Sequence, residues 1–392
     1  MEQLSTRQLF FTFLKLGLTS FGGPVAHLGY FRDEFVTRRK LMTDDAYADL
    51  VALCQFLPGP ASSQVGIGIG LSQRGLRGGL AAWCGFTLPS ALLLILFAYG
   101  VMALDQSIVR TGWLHGLKVA AVAVVAQAII GMAKTLCPDS PRRLVAVGAA
   151  VLSLIISGVG GQMTAILAGA LIGLFFLPVV QTDELSEQHS GSGKKGALVS
   201  LLIFFLLLLT VPFFAAAQLP ALAVFDSFYR TGALVFGGGH VVLPLLQAEL
   251  VDPGWVSKDL FMAGYGAAQA VPGPLFTFSA YLGTVMKNTP NGWFGGLLGL
   301  GAIFLPSFLL MSGILPFWEN LRRNRKLRKG LVGVNAAVVG LLIAAFYDPV
   351  WKSGILSIGD FIMAAIALGL LLKWKMPGWL VVVICGIGGA IL

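Results

Sequence analysis

Residues 55–63 read Gln55-Phe56-Leu57-Pro58-Gly59-Pro60-Ala61-Ser62-Ser63 within an apolar segment, and they return once as Gln269-Ala270-Val271-Pro272-Gly273-Pro274-Leu275-Phe276-Thr277. Pro-Gly-Pro removes two backbone donors and one Cβ atom, so a helix must break there. Inside a membrane such a break is tolerated only where protein or a water-filled cavity receives the freed backbone groups. Matching breaks in two halves of a chain indicate a transporter binding site.

The composition of the chain is typical of a membrane protein. Of its 392 residues, 56% are hydrophobic and 11% are charged, whereas a soluble protein carries about 25% charged residues. Long apolar runs alternate with short polar turns, so we expect an all-helical, multi-pass integral membrane protein. The sequence contains no nucleotide-binding loop and no metal-ligand spacing. We therefore predict no cofactor, no metal, no nucleic acid partner and no enzyme activity.

The apolar runs predict about thirteen transmembrane helices, as six, one connecting helix and six more. These lie near residues 9–30, 47–72, 79–104, 112–134, 143–159, 162–180, 197–217, 224–247, 259–286, 294–317, 330–347, 357–372 and 377–392. The short pairs at 143–180 and 357–392 have Gly-rich turns that leave a re-entrant arrangement open. The most polar stretch, residues 181–195, reads as a flexible linker.

The two sets of six are copies of one another. At an offset of 214 to 217 residues, the second half repeats the first at Lys15 and Arg230, Phe21-Gly22-Gly23 and Phe236-Gly237-Gly238, Glu34 and Glu249, Pro58-Gly59-Pro60 and Pro272-Gly273-Pro274, and Leu88-Pro89-Ser90 and Leu305-Pro306-Ser307. We predict a first repeat at 1–180, a linker with a connecting helix at 181–217, and a second repeat at 218–392. Because a single connecting helix separates the two sets of six, we expect the second repeat to be inverted in the membrane relative to the first.

The distribution of basic residues predicts the orientation. The net charge is +9, and cytoplasmic loops collect Lys and Arg. With the N-terminus in the cytoplasm, the thirteen segments place 17 basic residues inside, Lys258 among them, and 8 outside, Lys352 among them. The cluster at 32–40 falls outside against this trend. That exception would be explained if the first segment is a hairpin or lies along the membrane surface.

The residues around the breaks are the predicted substrate-binding site. A half-helix that begins after a break offers unpaired N–H groups and the positive end of its dipole, which attract anions. The candidates are Gly22, Gly23, Gln55, Pro58, Gly59, Pro60, Ser62, Ser63, Gly237, Gly238, His240, Gln269, Pro272, Gly273, Pro274 and Thr277. The alternatives are a structural kink at each Pro-Gly-Pro and a close-packing surface at each Phe-Gly-Gly.

Two cations and two acids complete the candidate residues. Lys15 and Arg230 occupy one repeat position inside apolar segments, where a cation faces a cavity or a partner, or else reaches to the interface. A Lys and an Arg together would suit an oxyanion. Glu34 and Glu249 are candidates for proton coupling, with a salt bridge at a loop as the alternative. Gln55 and Gln269 could contact the substrate, or they could donate hydrogen bonds to backbone carbonyls that the prolines leave unpaired; both alternatives stay open.

These motifs resemble the chromate ion transporter family in its long, two-domain form. The resemblance rests on Phe21-Gly22-Gly23-Pro24 and Phe236-Gly237-Gly238-Gly239-His240, together with the two Pro-Gly-Pro stretches, and it covers nearly the whole chain. It implies a bacterial inner-membrane protein that exports chromate and confers resistance, with sulfate as the natural competitor. The family's thirteen spans with antiparallel halves agree with the count above.

From the residues and the resemblance together, we expect a secondary transporter that moves chromate outward. The alternative within the same class is a transporter that takes up or exchanges sulfate or another oxyanion. A membrane-embedded enzyme is the alternative from another class, but it would need a nucleophile or convergent acids that the sequence does not offer. Membrane lipid is an expected partner, and a homodimer is left open.

Overall fold

The first repeat consists of helices only within the residues that the structure describes. The computed structural model describes residues 4–21, 23–103, 112–156, 158–178, 194–215, 220–236, 241–287, 290–318, 321 and 324–391. The helices of the first repeat are α1 (Thr6–Thr19), α2 (Gly23–Arg32, continued by a π-helical turn Asp33–Arg38), α3 (Asp44–Phe56), α4 (Ala61–Ala103), α5 (Gly112–Leu136), α6 (Ser140–Ile155) and α7 (Gly158–Phe176).

The connecting helix and the second repeat follow the same order. They comprise α8 (Lys194–Ala215), α9 (Pro220–Leu234), α10 (Val242–Leu246, continued by a π-helical turn Gln247–Val251), α11 (Lys258–Ala270), a 3₁₀ turn (Leu275–Thr277), α12 (Phe278–Val285), α13 (Gly292–Ile314), a 3₁₀ turn (Leu315–Phe317), α14 (Arg325–Ala345), a π-helical turn (Phe346–Trp351), a short turn of helix (Lys352–Gly354), α15 (Ile358–Leu372) and α16 (Gly378–Ile391). Within the described part of the chain, five helical stretches are long and apolar enough to cross a membrane, and several shorter apolar helices accompany them.

The Pro-Gly-Pro segment of the second repeat reverses the chain. The ring of Phe261 on α11 lies 5.2 Å from that of Phe278 on α12, and Tyr281 donates from its hydroxyl to the Leu260 carbonyl at 3.0 Å. The backbone N–H of Lys287 donates to the Trp255 carbonyl at 2.9 Å, so the two ends of the segment meet. Residues 258–285 therefore form a re-entrant hairpin, named hairpin 4, whose tip is the break.

The first Pro-Gly-Pro makes the equivalent hairpin 2, residues 44–73. A Cβ atom at Gly68 would lie 2.7 Å from the Leu50 side chain across the hairpin. The returning arm ends where Arg74 and Gly75 leave helical geometry, with φ of −142° and 57°. Beyond that turn α4 reverses once more, because Gly78 packs directly against the backbone of Gly70. Only the part of α4 after the turn continues across the membrane.

The chain also reverses between α1 and α2 and between α9 and α10. In hairpin 1, residues 6–38, the ring of Phe13 on α1 lies 5.4 Å from Phe31 and 5.0 Å from Phe35. In hairpin 3, residues 220–251, the Arg230 guanidinium on α9 meets the Glu249 carboxylate at 3.0 Å. The two arms of each hairpin therefore lie side by side, so each hairpin begins and ends at one and the same face of the protein.

The hairpins of the two repeats open to opposite faces. Arg74 donates to the Leu4 carbonyl at 2.8 Å, so the N-terminus and the open end of hairpin 2 share one face. After α4 has crossed, Tyr99 near its end accepts a hydrogen bond from the Trp293 N–H at the start of α13. At the other end of α13, Trp318 donates to Asp49 at the start of hairpin 2. Hairpin 4, which leads into the start of α13, therefore opens to the opposite face, and the repeats are inverted.

These hairpins correct the crossings expected at 9–30, 47–72, 224–247 and 259–286. Each of these segments enters and leaves at the same face, because its break turns the backbone instead of bending one long helix. The total of about thirteen crossings is accordingly unconfirmed, while the all-helical membrane architecture with broken helices is present.

The reversal also changes the sides of several basic residues. Hairpin 1 returns the cluster at 32–40 to the face of the N-terminus, and Arg32 pairs there with Asp44 at 2.7 Å. Lys258 and Lys352 both bind the Asp348 carboxylate, at 3.0 and 2.9 Å. The assignment of these two lysines to opposite faces is therefore wrong. The basic residues are more one-sided than the sequence count indicated.

Candidate functional site

The tips of the two repeats bind each other reciprocally. The Gly59 N–H donates to the Val235 carbonyl at 2.7 Å, and the Gly273 N–H donates to the Ser20 carbonyl at 3.1 Å. Gly59 and Gly273 are repeat equivalents, and so are Ser20 and Val235. Each Pro-Gly-Pro tip therefore meets the Phe-Gly-Gly break of the other repeat, as a twofold relation between inverted repeats requires.

Only glycine fits at the centre of each Pro-Gly-Pro. Gly59 has a φ of 123° and Gly273 a φ of 104°, in the region that L side chains rarely adopt. A Cβ atom at Gly59 would lie 2.8 Å from the Ser307 hydroxyl, and one at Gly273 would lie 2.8 Å from the Ser90 hydroxyl. These serines are repeat equivalents as well, so the close approach occurs twice.

A polar cavity of about 300 Å³ lies where the tip of hairpin 1 meets the tip of hairpin 4. Helix α5 and the turn between α15 and α16 close it. Its lining residues are Ser20, Gly23, Pro24, Val124, Gln127, Ala268, Gln269, Val271, Gly273, Leu275, Leu371, Lys375, Met376, Pro377 and Gly378. The cavity is thus lined by broken-helix tips from both repeats.

The lining of this cavity is rich in hydrogen-bond donors. Lys375 is the one charged residue among the lining residues that the structure describes. The Gln269 Nε2 is buried without a partner among the described residues, and so is the hydroxyl of Ser20, a residue with no solvent exposure. Helix α2 starts at Gly23 beside the cavity, so its first N–H groups and its dipole add to the positive potential. Such a set of donors suits an oxyanion.

The short helices α15 and α16 explain why a lysine reaches the tips. They contain 15 and 14 residues, which is about 22 and 21 Å of helix, less than the roughly 30 Å of a bilayer core. Their outer ends are fixed: His115 at the start of α5 binds Asp360 at 2.8 Å, and Gly389 packs against Gly112. The turn that carries Lys375 is therefore held at the cavity.

Of the candidate substrate-binding residues, the cavity brings together Gly23, Gln269 and Gly273. Pro272 and Pro274 flank Gly273 in the same tip without lining the cavity, and Pro274 accepts a hydrogen bond from the Thr277 hydroxyl at 2.7 Å. Four further candidates, Gly22, Gly237, Gly238 and His240, lie outside the described residues.

The candidates at the first Pro-Gly-Pro lie apart from this cavity. Gln55 is exposed, and it is Gln64 that binds the Pro58 carbonyl, at 2.6 Å. The Ser62 hydroxyl lies 3.4 Å from the His27 Nδ1. Pro60 accepts the first helical hydrogen bond of α4, from Gln64, and the Ser63 hydroxyl is buried without a partner among the described residues.

Lys15 and Arg230 do not line the cavity. Lys15 is exposed on α1, as expected of a side chain that reaches to the interface. Arg230 binds Asp226 at 2.8 Å and Glu249 at 3.0 Å. Because two carboxylates already neutralise this guanidinium, it has little attraction left for an anion.

Glu34 and Glu249 are both held in ion pairs, Glu34 with arginines that follow it on the same arm and Glu249 across the two arms of hairpin 3. Glu34 binds Arg38 and Arg39, each at 2.6 Å, and Arg39 also donates to Thr12 on α1 at 3.1 Å. In hairpin 3 the guanidinium comes instead from Arg230 on the first arm. The repeats therefore keep an Arg–Glu contact at one place with the arginine supplied from opposite arms, in line with the salt-bridge alternative.

Three polar residues of the cavity lining, Ser20, Gln127 and Lys375, were absent from the sequence candidates. Gln127 is the lone polar side chain between Val119 and Ala133, which is a signal that could have identified it. Ser20 directly precedes the Phe-Gly-Gly break. Lys375 gave no signal of its own, because a lysine between two apolar runs is indistinguishable from an ordinary loop residue.

Inverted repeats of broken helices whose tips meet around a polar cavity define a membrane transporter architecture. The comparison with known families agrees. The profile of the Chromate transporter family matches residues 7–174 and again residues 222–390. The chain belongs to the chromate transporter family.

Relatives extend over nearly the whole chain. A chromate transport protein of Pseudomonas aeruginosa is 28% identical over 98% of this chain and 91% of its own length. A chromate transport protein of Cupriavidus metallidurans is 26% identical over 94% and 88%. An uncharacterized transporter of Bacillus subtilis, YwrA, is 28% identical over 43% of this chain and 96% of its own length, so it has the size of one repeat. No solved structure matches the chain.

Proposed function

We propose that this protein is a secondary transporter that exports chromate and thereby confers chromate resistance. The observation that supports it most is the donor-lined cavity between the tips of inverted repeats. The names of the full-length relatives supply the substrate. Sulfate, a tetrahedral dianion with the same pattern of acceptors, is the expected competitor.

The anion is held by one charge and several neutral donors. Lys375 contributes the charge, the Gln269 and Gln127 amides and the Ser20 hydroxyl contribute hydrogen bonds, and the first turn of α2 contributes backbone N–H groups. A dianion without protons uses donors only. The described lining includes no carboxylate, so nothing there repels the substrate.

The proposed orientation places the N-terminus in the cytoplasm of a bacterial inner membrane. The support is the basic cluster at 32–40, which hairpin 1 returns to the N-terminal face, because cytoplasmic segments collect Lys and Arg. The inside-negative potential favours export of a dianion, by about 2.3 kcal/mol per charge per 100 mV. Export therefore needs no nucleotide.

Counterflow in proteoliposomes tests the transport function. Liposomes loaded with unlabelled chromate and diluted into labelled chromate should accumulate label transiently, and external sulfate should reduce the initial rate. A membrane potential that is negative on the cytoplasmic side of the protein should raise the rate at which chromate moves away from that side. Absence of chromate flux from the wild-type protein would overturn the substrate, and flux without saturation or counterflow would indicate a channel.

Cysteine labelling in intact cells tests the orientation. In a background whose four native cysteines are replaced by alanine, Lys40→Cys and Lys258→Cys place single thiols on opposite faces, and Lys352→Cys is the matched control for the Lys258 face. An impermeant thiol reagent should label the cysteines at 258 and 352 in intact cells, and the one at 40 only after lysis. Labelling of the cysteine at 40 in intact cells would reverse the orientation.

A further inference from the structure

Five buried polar atoms without partners among the described residues lie around the tips of the first repeat. They are the hydroxyls of Ser20, Ser63, Thr87 and Ser307 and the Oε1 of Gln64, all on residues at most 3% exposed. An unpaired polar atom in a protein interior costs free energy unless water or a ligand satisfies it. Five of them in one region indicate a hydrated polar path.

These residues lie at the two Pro-Gly-Pro tips, which are linked through His27, because its ring contacts Ser62 and the Ser20 carbonyl that also accepts from the Gly273 N–H. At one end, Ser307 and Gln64 pack against Gly59. At the other end, Ser90 packs against Gly273 and donates to the Thr87 carbonyl at 3.1 Å. The middle of the path is His27, which links the two ends.

His27 is the titratable residue of this path. It is 1% exposed; its Nδ1 lies 3.4 Å from the Ser62 hydroxyl and its Nε2 lies 3.2 Å from the Ser20 carbonyl. A carbonyl only accepts, so Nε2 carries a hydrogen and Nδ1 of the neutral ring accepts from Ser62. Added proton would sit on Nδ1, and the Ser62 hydroxyl would turn to accept from it.

The two polar contacts of the His27 ring are with uncharged groups, the Ser62 hydroxyl and the Ser20 carbonyl. The ring packs edge-on against Phe86 at 5.1 Å. The titratable and charged groups on α2 and on the elements packed against it lie elsewhere: Tyr30, Arg32, Asp33, Glu34, Arg38, Lys15, Asp44, Tyr47, Asp49, Cys54, Arg74, Arg77 and Cys84, with Lys375 across the cavity.

We propose that His27 binds a proton whose uptake is coupled to binding of the oxyanion in the neighbouring cavity. This inference rests on the proposed function. Ser20 joins the two sites, because its carbonyl accepts from His27 and from the Gly273 N–H while the residue also lines the cavity. A dianion there favours a positive charge on His27, and by linkage a protonated His27 strengthens binding of the dianion.

The proton reaches His27 from water through the polar path. Its binding forms one N–H bond at Nδ1 and its release breaks that bond, so no other bond changes. The path touches the tip of each repeat. Movement of either tip can therefore expose His27 to a different face, which makes the proton and the anion travel together.

Calorimetry of sulfate binding tests the coupling on the purified full-length protein. Sulfate stays a dianion between pH 5.5 and pH 7.5, so any proton uptake belongs to the protein. Titrations in two buffers that contain no oxyanion and differ in ionisation enthalpy give the protons bound per sulfate. The wild-type protein should take up a fraction of one proton when it binds sulfate, and its affinity should rise as the pH falls from 7.5 to 5.5.

The decisive variant is His27→Gln, which retains a donor to the Ser20 carbonyl but does not titrate. It should bind sulfate with no proton uptake and no pH dependence. His189→Gln is the matched control, since this histidine belongs to the polar stretch at 181–195, and its proton uptake should equal that of the wild type. Ser62→Ala removes the hydroxyl that accepts from protonated Nδ1 and should reduce the uptake while keeping the affinity at pH 7.5.

Four outcomes separate this inference from the proposed function. Sulfate binding by the wild type without proton uptake overturns the coupling, and so does equal uptake in His27→Gln and wild type. Should His27→Gln fail to fold, unchanged uptake in Ser62→Ala overturns it. Failure of the wild type to bind either sulfate or chromate contradicts the proposed function instead.

Discussion

Hairpins 2 and 4 turn at the same Pro-Gly-Pro sequence with glycine in the same left-handed conformation, but the residues after the turn differ in polarity. Hairpin 2 continues with Ser62 and Gln64, whose repeat equivalents in hairpin 4 are Phe276 and Phe278. All four are buried. The backbone of the break is therefore common to both repeats, while the side chains around it have diverged into a polar tip and an apolar one.

The divergence also separates two tasks. The apolar tip of hairpin 4 presents Gln269 and the Gly273 backbone to the donor-lined cavity, whereas the polar tip of hairpin 2 borders the path through His27. We propose that the second repeat supplies more of the anion site and the first supplies the proton path. The predictions below test that division and the backbone that both tips share.

The largest loss of stability is expected from Gly59→Ala and Gly273→Ala, which disturb the backbone conformation that both tips share. Each imposes a strained φ, costing about 1–3 kcal/mol, and a clash with a buried serine hydroxyl, costing about the same again. We expect both variants to lose the monodisperse peak in fluorescence-detected size exclusion. Gly29→Ala is the control, because a Cβ atom there meets nothing within 4 Å. A folded, active Gly59→Ala would contradict the tight turn.

The next effect distinguishes the two repeat-equivalent cations. Arg230→Ala leaves Glu249, which is 8% exposed, without its ion-pair partner. We expect a loss of about 3 kcal/mol, the lower end for a buried pair because Arg230 is itself partly exposed. Lys15→Ala removes an exposed side chain and should change the stability by less than about 0.5 kcal/mol.

Thermal unfolding of both variants in one detergent measures this difference. A melting temperature that falls by several degrees for Arg230→Ala and stays constant for Lys15→Ala fits the structure. Equal melting temperatures together with loss of transport in both variants would restore the two cations to the substrate site, as the sequence suggested.

The inverted repeats and broken helices could be predicted from the sequence, because Pro-Gly-Pro and Phe-Gly-Gly each constrain the backbone locally and recur at one offset. The reversal of the chain at those breaks could not. A 28-residue apolar segment such as 259–286 is long enough either to cross once with a kink or to enter and return as two half-helices. Only contacts such as Tyr281 with Leu260 decide between the two.

The candidate site was predicted in part for a related reason. Gly23, Gln269 and Gly273 lie in the breaks themselves, so local sequence located them. Lys375 reaches the cavity because α15 and α16 are short and their outer ends are anchored, at His115 with Asp360 and at Gly112 with Gly389. That is a property of tertiary packing, and no local pattern at Lys375 reports it.

A smaller effect separates the repeat-equivalent glutamines. Gln269→Leu removes a cavity donor to a charged ligand, a bond worth about 1.5–3 kcal/mol, so the half-saturation concentration for chromate should rise about tenfold or more. Gln55→Leu alters an exposed side chain outside the cavity and should change it less than about twofold. Initial rates of counterflow in proteoliposomes measure both, and equal effects would place the anion at both tips.

The most direct test of the account is chromate counterflow with Lys375→Gln beside Lys373→Gln. Both substitutions remove one positive charge from the same turn, but only Lys375 lines the cavity, while the Lys373 ammonium lies 5.3 Å from the Trp374 ring centre. We predict that Lys375→Gln lowers the initial rate at least about tenfold and that Lys373→Gln stays within about twofold of wild type. Equal rates in the two variants would show that the anion binds elsewhere.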